Sequence, residues 1–147
     1  MRAPRRPTRL LLSPLAVLAV LAVVAVTGCG GDSASTNPGA KVDVPDASFS
    51  VATGKADVDV KVIDNAFDAQ YVTVTAGTKV TWTNDGRNTH NIVPSNEGGF
   101  TKVTTQDFTP GKSYQVTFDQ PGDYPYYCSV HGTKKSGQNG VIRVVAK

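Results

Sequence analysis

Hydrophobic and polar residues alternate along most of the chain from residue 57 onward. In the segment DVDVKV, valines occupy positions 58, 60 and 62, with charged residues between them. The same repeat of two residues is found in YVTVT at 71–75, KVTWT at 79–83, YQVTF at 114–118 and YPYYC at 124–128. Because successive side chains of a strand point to opposite faces, this pattern predicts β-strands with one buried face.

Segments rich in Gly, Pro, Asn and Asp separate these predicted strands, as turns do. They are AGT at 76–78, NDGRN at 84–88, NEGG at 96–99, TPGK at 109–112 and QPGD at 120–123. No stretch has the period of an amphipathic helix. Short strands at this spacing are typical of antiparallel sandwiches and barrels. The pattern therefore predicts one all-β domain over residues 57–147, without a substantial helix.

The N-terminal 28 residues differ in character from the predicted domain. The segment MRAPRRPTR contains four arginines and no acidic residue, and residues 10–26 are almost wholly apolar. A basic head, an apolar middle and small residues before a cleavage point are typical of an export signal. A transmembrane anchor is the alternative, but Ser13 and Pro14 interrupt a run that is already short for a span. We interpret residues 1–28 as a signal peptide that is removed.

The last residues of this signal, VTGC at 26–29, resemble the lipobox of bacterial lipoproteins. The resemblance implies cleavage before Cys29, a lipid on its sulfur, and an extracytoplasmic protein anchored to the cell membrane. The following segment, up to residue 56, is rich in Gly, Ser, Thr, Ala, Pro and Asp. We therefore interpret residues 29–56 as a lipidated cysteine and a flexible tether. An ordinary signal peptide that leaves Cys29 free is the alternative.

Removal of the signal changes the charge and the cysteine count of the protein. The chain has 15 Lys and Arg against 12 Asp and Glu, and the four arginines of the signal leave 11 basic residues, a net charge of −1. No basic stripe remains that would indicate nucleic-acid binding. If Cys29 carries a lipid, Cys128 has no disulfide partner, and a bound metal would protect its thiol from oxidation.

The reactive side chains of the predicted domain are His90, Cys128 and His131. Two imidazoles and a thiolate form a trigonal ligand set that suits copper. Structural zinc usually has four such ligands, and c-type haem needs a second nearby cysteine. A thiol nucleophile with a histidine base, or a metal-free domain with a buried cysteine and two surface histidines, remains open from these residues alone.

Three segments of this region resemble the cupredoxins, the type 1 blue-copper family that includes plastocyanin, pseudoazurin and azurin. They are AGTKVTWTN at 76–84, NTHNIV at 88–93 and FDQPGDYPYYCSVHG at 118–132. The resemblance implies a Greek-key β-sandwich of about eight strands with one copper ion near one end. It also implies that His90, Cys128 and His131 are the ligands, and that Asn91 ties the two ligand loops together and helps to hold the cysteine sulfur.

The fourth, axial position of such a site differs here from the usual methionine. The only methionine of the chain is Met1, which the signal carries away. The tail HGTKKSGQNG resembles bacterial plastocyanin-like tails of the form H-G-T-x-x-x-G-M-x-G, with Gln138 at the methionine position. Glutamine is also the axial ligand of stellacyanin-like cupredoxins. Since an amide oxygen is a harder ligand than a thioether, we expect an axial Gln138 to favour Cu(II) and to give a lower reduction potential than a Gln138→Met variant. A loop residue that faces solvent, with three-coordinate copper, is the alternative for Gln138.

These features together predict a membrane-tethered copper protein that carries one electron between transient redox partner proteins. The resemblance implies that the protein is a monomer and not an enzyme. Extracytoplasmic copper delivery or storage is the alternative function, and a metal-free binding sandwich is a second one.

Overall fold

The computed structural model of the protein describes residues 33–34, 38–39 and 41–147. The expected signal segment, residues 1–28, and the expected lipidation site Cys29 lie outside the described residues. Within the described part, no helix has the length and apolar character that would be needed to cross a membrane.

Ten strands and one short 3₁₀ helix, Asp46–Ser48, make up the described part of the chain. The strands are β1 Ser33–Ala34, β2 Ser50–Val51, β3 Asp57–Ile63, β4 Ala66–Phe67, β5 Tyr71–Thr75, β6 Thr78–Asn84, β7 Val93–Pro94, β8 Ser113–Phe118, β9 Gly122–Gly132 and β10 Gly137–Val145. The predicted all-β fold is confirmed. The strand count exceeds the expected eight because four of the ten strands are only two residues long.

The strands form two five-stranded sheets, in the orders β1-β8-β6-β3-β4 and β2-β5-β10-β9-β7. Both sheets are mixed, because β3 pairs with β6 and β5 pairs with β10 in parallel. The sandwich therefore contains parallel as well as antiparallel pairs, although the strand spacing alone is typical of antiparallel sandwiches and barrels. The physical reason lies in the short turn at Ala76–Gly77, which joins strands of different sheets instead of closing a hairpin within one sheet.

The core lies between the sheets and is built by the alternate residues that the sequence pattern identified. The buried side chains include Val58, Val60, Val62, Val72, Val74, Val80, Trp82, Val116, Phe118, Tyr124, Tyr126 and Cys128. Trp82 is completely buried, and its ring packs at 5.2 Å from that of Tyr126 and at 6.2 Å from that of Phe118. Large aromatic rings of this kind dominate the apolar area that a small core buries. The core therefore extends along β9 to Cys128.

Part of the segment expected to be a flexible tether packs on the sandwich. Phe49 is buried, and β2 pairs with β5 in parallel. The backbone N–H of Gly39 donates to the carbonyl of Asp123, and the guanidinium of Arg143 stands 3.9 Å above the ring of Phe49. Residues 41–56 therefore contact the sandwich through one aromatic side chain and several charged groups, while the division at residue 57 stays a prediction.

Candidate metal centre

The loop between β6 and β7 presents the first candidate ligand, His90. Asn84 at the end of β6 shapes this loop from inside, since its Nδ2 donates to the carbonyls of Asn88 and Phe108, each at 3.0 Å. Its Oδ1 accepts the backbone N–H of Gly86 at 3.1 Å. Asn84 and His90 are both buried. A satisfied buried amide of this kind gives the loop one defined conformation.

The other candidate ligands lie where the pairing of β9 and β10 becomes irregular. Gly132 pairs with Gly137 and Tyr127 pairs with Asn139, so four residues of β9 stand opposite the single residue Gln138 of β10. These four residues include Cys128 and His131. Bulges redirect side chains and are frequent beside functional sites. This irregularity brings the side chains of Cys128, His131 and Gln138 to the same end of the sandwich as His90.

Three potential ligand atoms converge at this end of the sandwich. The Sγ of Cys128 lies 3.7 Å from the Nδ1 of His90 and 3.7 Å from the Nδ1 of His131. The two Nδ1 atoms are 3.1 Å apart. His90, Cys128 and His131 are the group of His, Cys, Asp and Glu side chains in the described residues that could hold a metal ion.

The spacing of these atoms fits a metal ion among them. Metal–nitrogen bonds of about 2.0 Å and metal–sulfur bonds of about 2.3 Å separate neighbouring ligand atoms by about 3–4 Å. The observed separations of 3.1 and 3.7 Å fall in this range. A thiolate with two imidazoles matches the soft and intermediate ligands that copper accepts.

The environment of His90 favours its neutral form. Burial lowers the pKa of His90, and repulsion from His131 lowers it further. A neutral imidazole keeps one ring nitrogen free of a proton, which is the form that binds a metal. The lowered pKa thus favours the protonation state in which His90 can bind a metal.

Gln138 lies beside these atoms with a defined amide orientation. It is 1% exposed, and its Oε1 is 3.0 Å from the Nδ1 of His90. Its Nε2 donates to the carbonyl of Ala66 at 3.1 Å and to the carbonyl of Ile63 at 3.4 Å. The oxygen end of the amide thus faces the candidate metal ligands, while the nitrogen end faces the turn between β3 and β4.

Asn91 links the loop of His90 to the strand of Cys128. Its Nδ2 donates to the Oγ of Ser129 at 2.8 Å, and its Oδ1 accepts the backbone N–H of Ser129 at 2.8 Å. Because Ser129 follows Cys128 directly, these two bonds fix the distance between the two segments that carry candidate ligands.

The side of the site formed by His131 reaches the protein surface. His131 is only partly buried, and its neighbour Val130 is 53% exposed. Lys134 and Lys135 are exposed in the loop that joins β9 to β10. His131 is therefore the candidate ligand nearest to solvent, whereas His90 and Cys128 are buried.

Sequence reasoning did not identify the residues behind the candidate ligands. The carbonyls of Ile63 and Ala66 hold the amide of Gln138, and the carboxylate of Asp64 accepts backbone N–H groups of Arg87 and Asn88. The dipeptide at 64–65 signals a turn, but no local pattern shows which side chain the flanking carbonyls contact. Ser129 carried no signal of its own.

Comparisons with known proteins agree with this arrangement. The profile of a family described as copper binding proteins, plastocyanin/azurin family, matches residues 54–145. The chain is 36% identical over 86 residues to plastocyanin of Scenedesmus fuscus, which covers 53% of this chain and 85% of that protein. It is 33% identical over 96 residues to the chloroplastic plastocyanin of Tetradesmus obliquus, which covers 58% of this chain and 66% of that protein.

A solved structure agrees as well. The oxidized form of plastocyanin from Dryopteris crassirhizoma superposes with a TM-score of 0.50 at 25% identity, covering 60% of this chain and 100% of that one. The region that the family profile matches, residues 54–145, contains the three candidate ligands and Gln138.

Proposed function

Because this chain belongs to the plastocyanin/azurin family of copper-binding proteins, we propose that it is a membrane-tethered carrier of single electrons. In this proposal His90, Cys128 and His131 hold one copper ion, and Gln138 supplies a weak axial ligand. The observation that carries the proposal is the convergence of Sγ and two Nδ1 atoms within 4.8 Å of one another. The bound ion would supply the Cu(I)/Cu(II) couple.

The protein residues contribute a ligand set whose geometry is already formed. The buried Cys128 and His90 are held by two strands and by a loop with internal hydrogen bonds, so little rearrangement is needed when the charge of the site changes. A site whose ligands are already in place rearranges little when its charge changes, and this favours rapid electron transfer. Asn91 supports this role, since its bonds to Ser129 keep the loop and the strand in register.

Gln138 is the proposed axial ligand because its Oε1 lies only 3.0 Å from the Nδ1 of His90, which is a proposed copper ligand. The only methionine of the chain is Met1, so none of the described residues offers a thioether. An amide oxygen is harder than a thioether sulfur and stabilises Cu(II) relative to Cu(I). The proposal therefore includes a reduction potential lower than that of the same site with methionine.

Electrons enter and leave, in this proposal, at the partly exposed edge of His131. Val130 provides an exposed apolar contact beside it, and small, transient encounters suit redox partner proteins. The protein would act as a monomer, and it would transfer electrons without catalysing a reaction of its own.

The proposed location is outside the cytoplasm, with residues 1–28 removed and a lipid on Cys29. The described chain supports a particular orientation on the membrane. Gly39 is bonded to Asp123 near the start of β9, whereas Cys128 lies five residues further along this strand. At about 3.3 Å per residue, the two points are about 16 Å apart. The anchored end would thus lie away from the copper end.

Visible absorption and EPR spectra of the Cu(II)-loaded protein test the copper site. We expect an intense thiolate-to-copper charge-transfer band that is lost in Cys128→Ser and retained in Lys135→Ala, a change at an exposed position of the same loop. A colourless copper-loaded protein with a freely reactive thiol would contradict the proposal. Mass spectrometry of the exported N-terminus tests the anchor separately, because an unmodified Cys29 excludes it.

A further inference from the structure

The two-residue turn between β3 and β4 contacts one candidate ligand, Gln138, and the loop that carries another, His90. The turn consists of Asp64 and Asn65, and Ile63 pairs with Ala66 across it. On one side, the carbonyls of Ile63 and Ala66 accept hydrogen bonds from the Nε2 of Gln138 at 3.4 and 3.1 Å. The turn thus holds an amide that is more than seventy residues away along the chain.

On its other side, the same turn holds the loop that leads to His90. The Oδ1 of Asp64 accepts the backbone N–H of Arg87 at 2.8 Å and that of Asn88 at 3.2 Å. Its Oδ2 accepts the Nε of Arg87 at 3.0 Å. Three donors therefore converge on one carboxylate, and they keep the turn and the loop in a single relative position.

We propose that this turn, fixed to the loop by Asp64, is the element that aims the amide oxygen of Gln138 at the metal. The proposal rests on the proposed axial role of Gln138 and assigns Asp64 as a positioning residue that acts through the turn. It explains why the amide has one orientation at this site instead of two.

The orientation follows from the chemistry of the two carbonyls. A carbonyl oxygen accepts hydrogen bonds and cannot donate them, so the carbonyls of Ile63 and Ala66 require the NH₂ end of the amide. A reversed amide would place its oxygen against both carbonyls and would take the NH₂ group away from these acceptors, which is costly because Gln138 is only 1% exposed. The Oε1 of Gln138 must then face His90 and the other candidate ligands.

A comparison of substitutions at Asp64 and Asp85 separates two effects on the reduction potential, the positioning of Gln138 and the loss of a negative charge. Asp64→Ala removes the three hydrogen bonds of the carboxylate, while the carbonyl of Val62 still accepts the backbone N–H groups of Asp85 and Gly86. The turn is then held less tightly, so we expect a weaker axial ligand. The substitution also removes one negative charge near the site, which by itself disfavours Cu(II). Asp85→Asn provides the matched control, because it removes one negative charge from the loop that carries His90. The ion-pair partner of Asp85 is Lys61 at 3.5 Å, and this lysine is exposed.

The experiment measures the reduction potential of the full-length copper protein in a cycle with Gln138→Leu. We expect Asp64→Ala to lower the ratio of Cu(II) to Cu(I) affinity at least tenfold, about 59 mV for a one-electron couple. In the Gln138→Leu background, Asp64→Ala should shift the reduction potential by no more than Asp85→Asn does, because only the effect of the lost charge remains. Asp64→Asn keeps an acceptor oxygen for the backbone N–H groups, so its reduction potential should differ less from that of the unmodified protein than the potential of Asp64→Ala does.

Equal shifts in both backgrounds, or a shift no larger than that of Asp85→Asn, would overturn the positioning role. If Gln138→Leu itself leaves the potential unchanged, the axial role fails and the inference fails with it.

A second measurement follows the amide directly and does not depend on the potential. In the diamagnetic Cu(I) protein, the side-chain NH₂ protons of Gln138 should exchange slowly with solvent, and Asp64→Ala should accelerate their exchange. Fast exchange in the unmodified protein would refute the hydrogen bonds to the turn. If folding fails in Asp64→Ala, Asp64→Asn and Asp85→Asn allow the same comparison.

Discussion

Replacement of Arg143 by methionine should detach the segment before β3 from the sandwich. The guanidinium of Arg143 donates two hydrogen bonds to the carboxylate of Asp123, at 2.8 Å from Nε and at 3.1 Å from a terminal nitrogen. Its other terminal nitrogen donates to Asp46 at 2.6 Å, and its plane covers the ring of Phe49. One side chain thus joins β9, β10 and the segment that precedes the domain.

The magnitude follows from the burial of the partner that remains. Asp123 is 4% exposed, and without Arg143 its carboxylate keeps a hydrogen bond of 2.8 Å from the backbone of Val42. Removal of one partner of a buried ion pair costs about 3–5 kcal/mol. The side chain of Arg143 is itself 13% exposed, so partial solvation of the pair reduces this figure. We expect a loss of about 2–4 kcal/mol in the free energy of unfolding.

Urea unfolding, followed by the fluorescence of the buried Trp82, measures this loss. Arg87→Met is the control, because the ion pair of Arg87 with Asp64 has a similar distance of 3.0 Å while its own side chain is 92% exposed. The control should cost less than about 1 kcal/mol. Limited proteolysis should cut residues 41–56 faster in Arg143→Met only. Equal losses in the two variants would show that burial of the Asp123 pair does not determine its strength.

Four other changes test separate parts of the structure. Gln138→Met should raise the reduction potential of the copper protein, and an unchanged or lowered potential would exclude Gln138 as the axial ligand. Asn91→Ala removes two hydrogen bonds of 2.8 Å to β9, so we expect a loss of about 1–2 kcal/mol in urea unfolding and an altered copper spectrum. Tyr126→Phe should change stability by no more than about 1 kcal/mol, because its buried hydroxyl makes no hydrogen bond of normal geometry among the described residues and has only the indole N–H of Trp82 as a neighbouring donor; a larger loss in thermal unfolding would contradict this. Hydrogen bonds from the backbone and side chain of Arg87 lower the pKa of Asp64, so the stability that Asp64 contributes is complete above its usual pKa of 3.8 and is lost as pH falls through the lower folded-state value. Urea unfolding of Asp64→Asn should therefore differ from that of the parent at neutral pH and converge with it well below pH 3.8, whereas a constant difference would refute the linkage.

The strands and their buried faces could be predicted from the sequence because alternation is a local property. Val60, Trp82 and Phe118 are buried as their positions in the repeat of two required. The pairing of the strands could not be predicted in the same way. The parallel pairs of β3 with β6 and of β5 with β10 depend on which sheet each strand joins, and alternation is the same in both cases.

By itself, the sequence determined the chemical inventory of the protein. Its two histidines are His90 and His131, Cys128 lies three residues before the second of them, and the only methionine is Met1. These facts limit the ligands that any fold of this chain could offer a metal. They do not state how far apart the side chains lie or which atoms they present.

Only the tertiary structure decided those points, because they depend on contacts between residues far apart along the chain. The Oε1 of Gln138 faces His90 since two carbonyls at 63 and 66 occupy its other end, and Asp64 fixes that turn to the loop of His90. Arg143 likewise joins a segment nearly one hundred residues away. Such hydrogen bonds carry no local signature, since any backbone carbonyl could provide them and only the completed packing of the two sheets selects which one does.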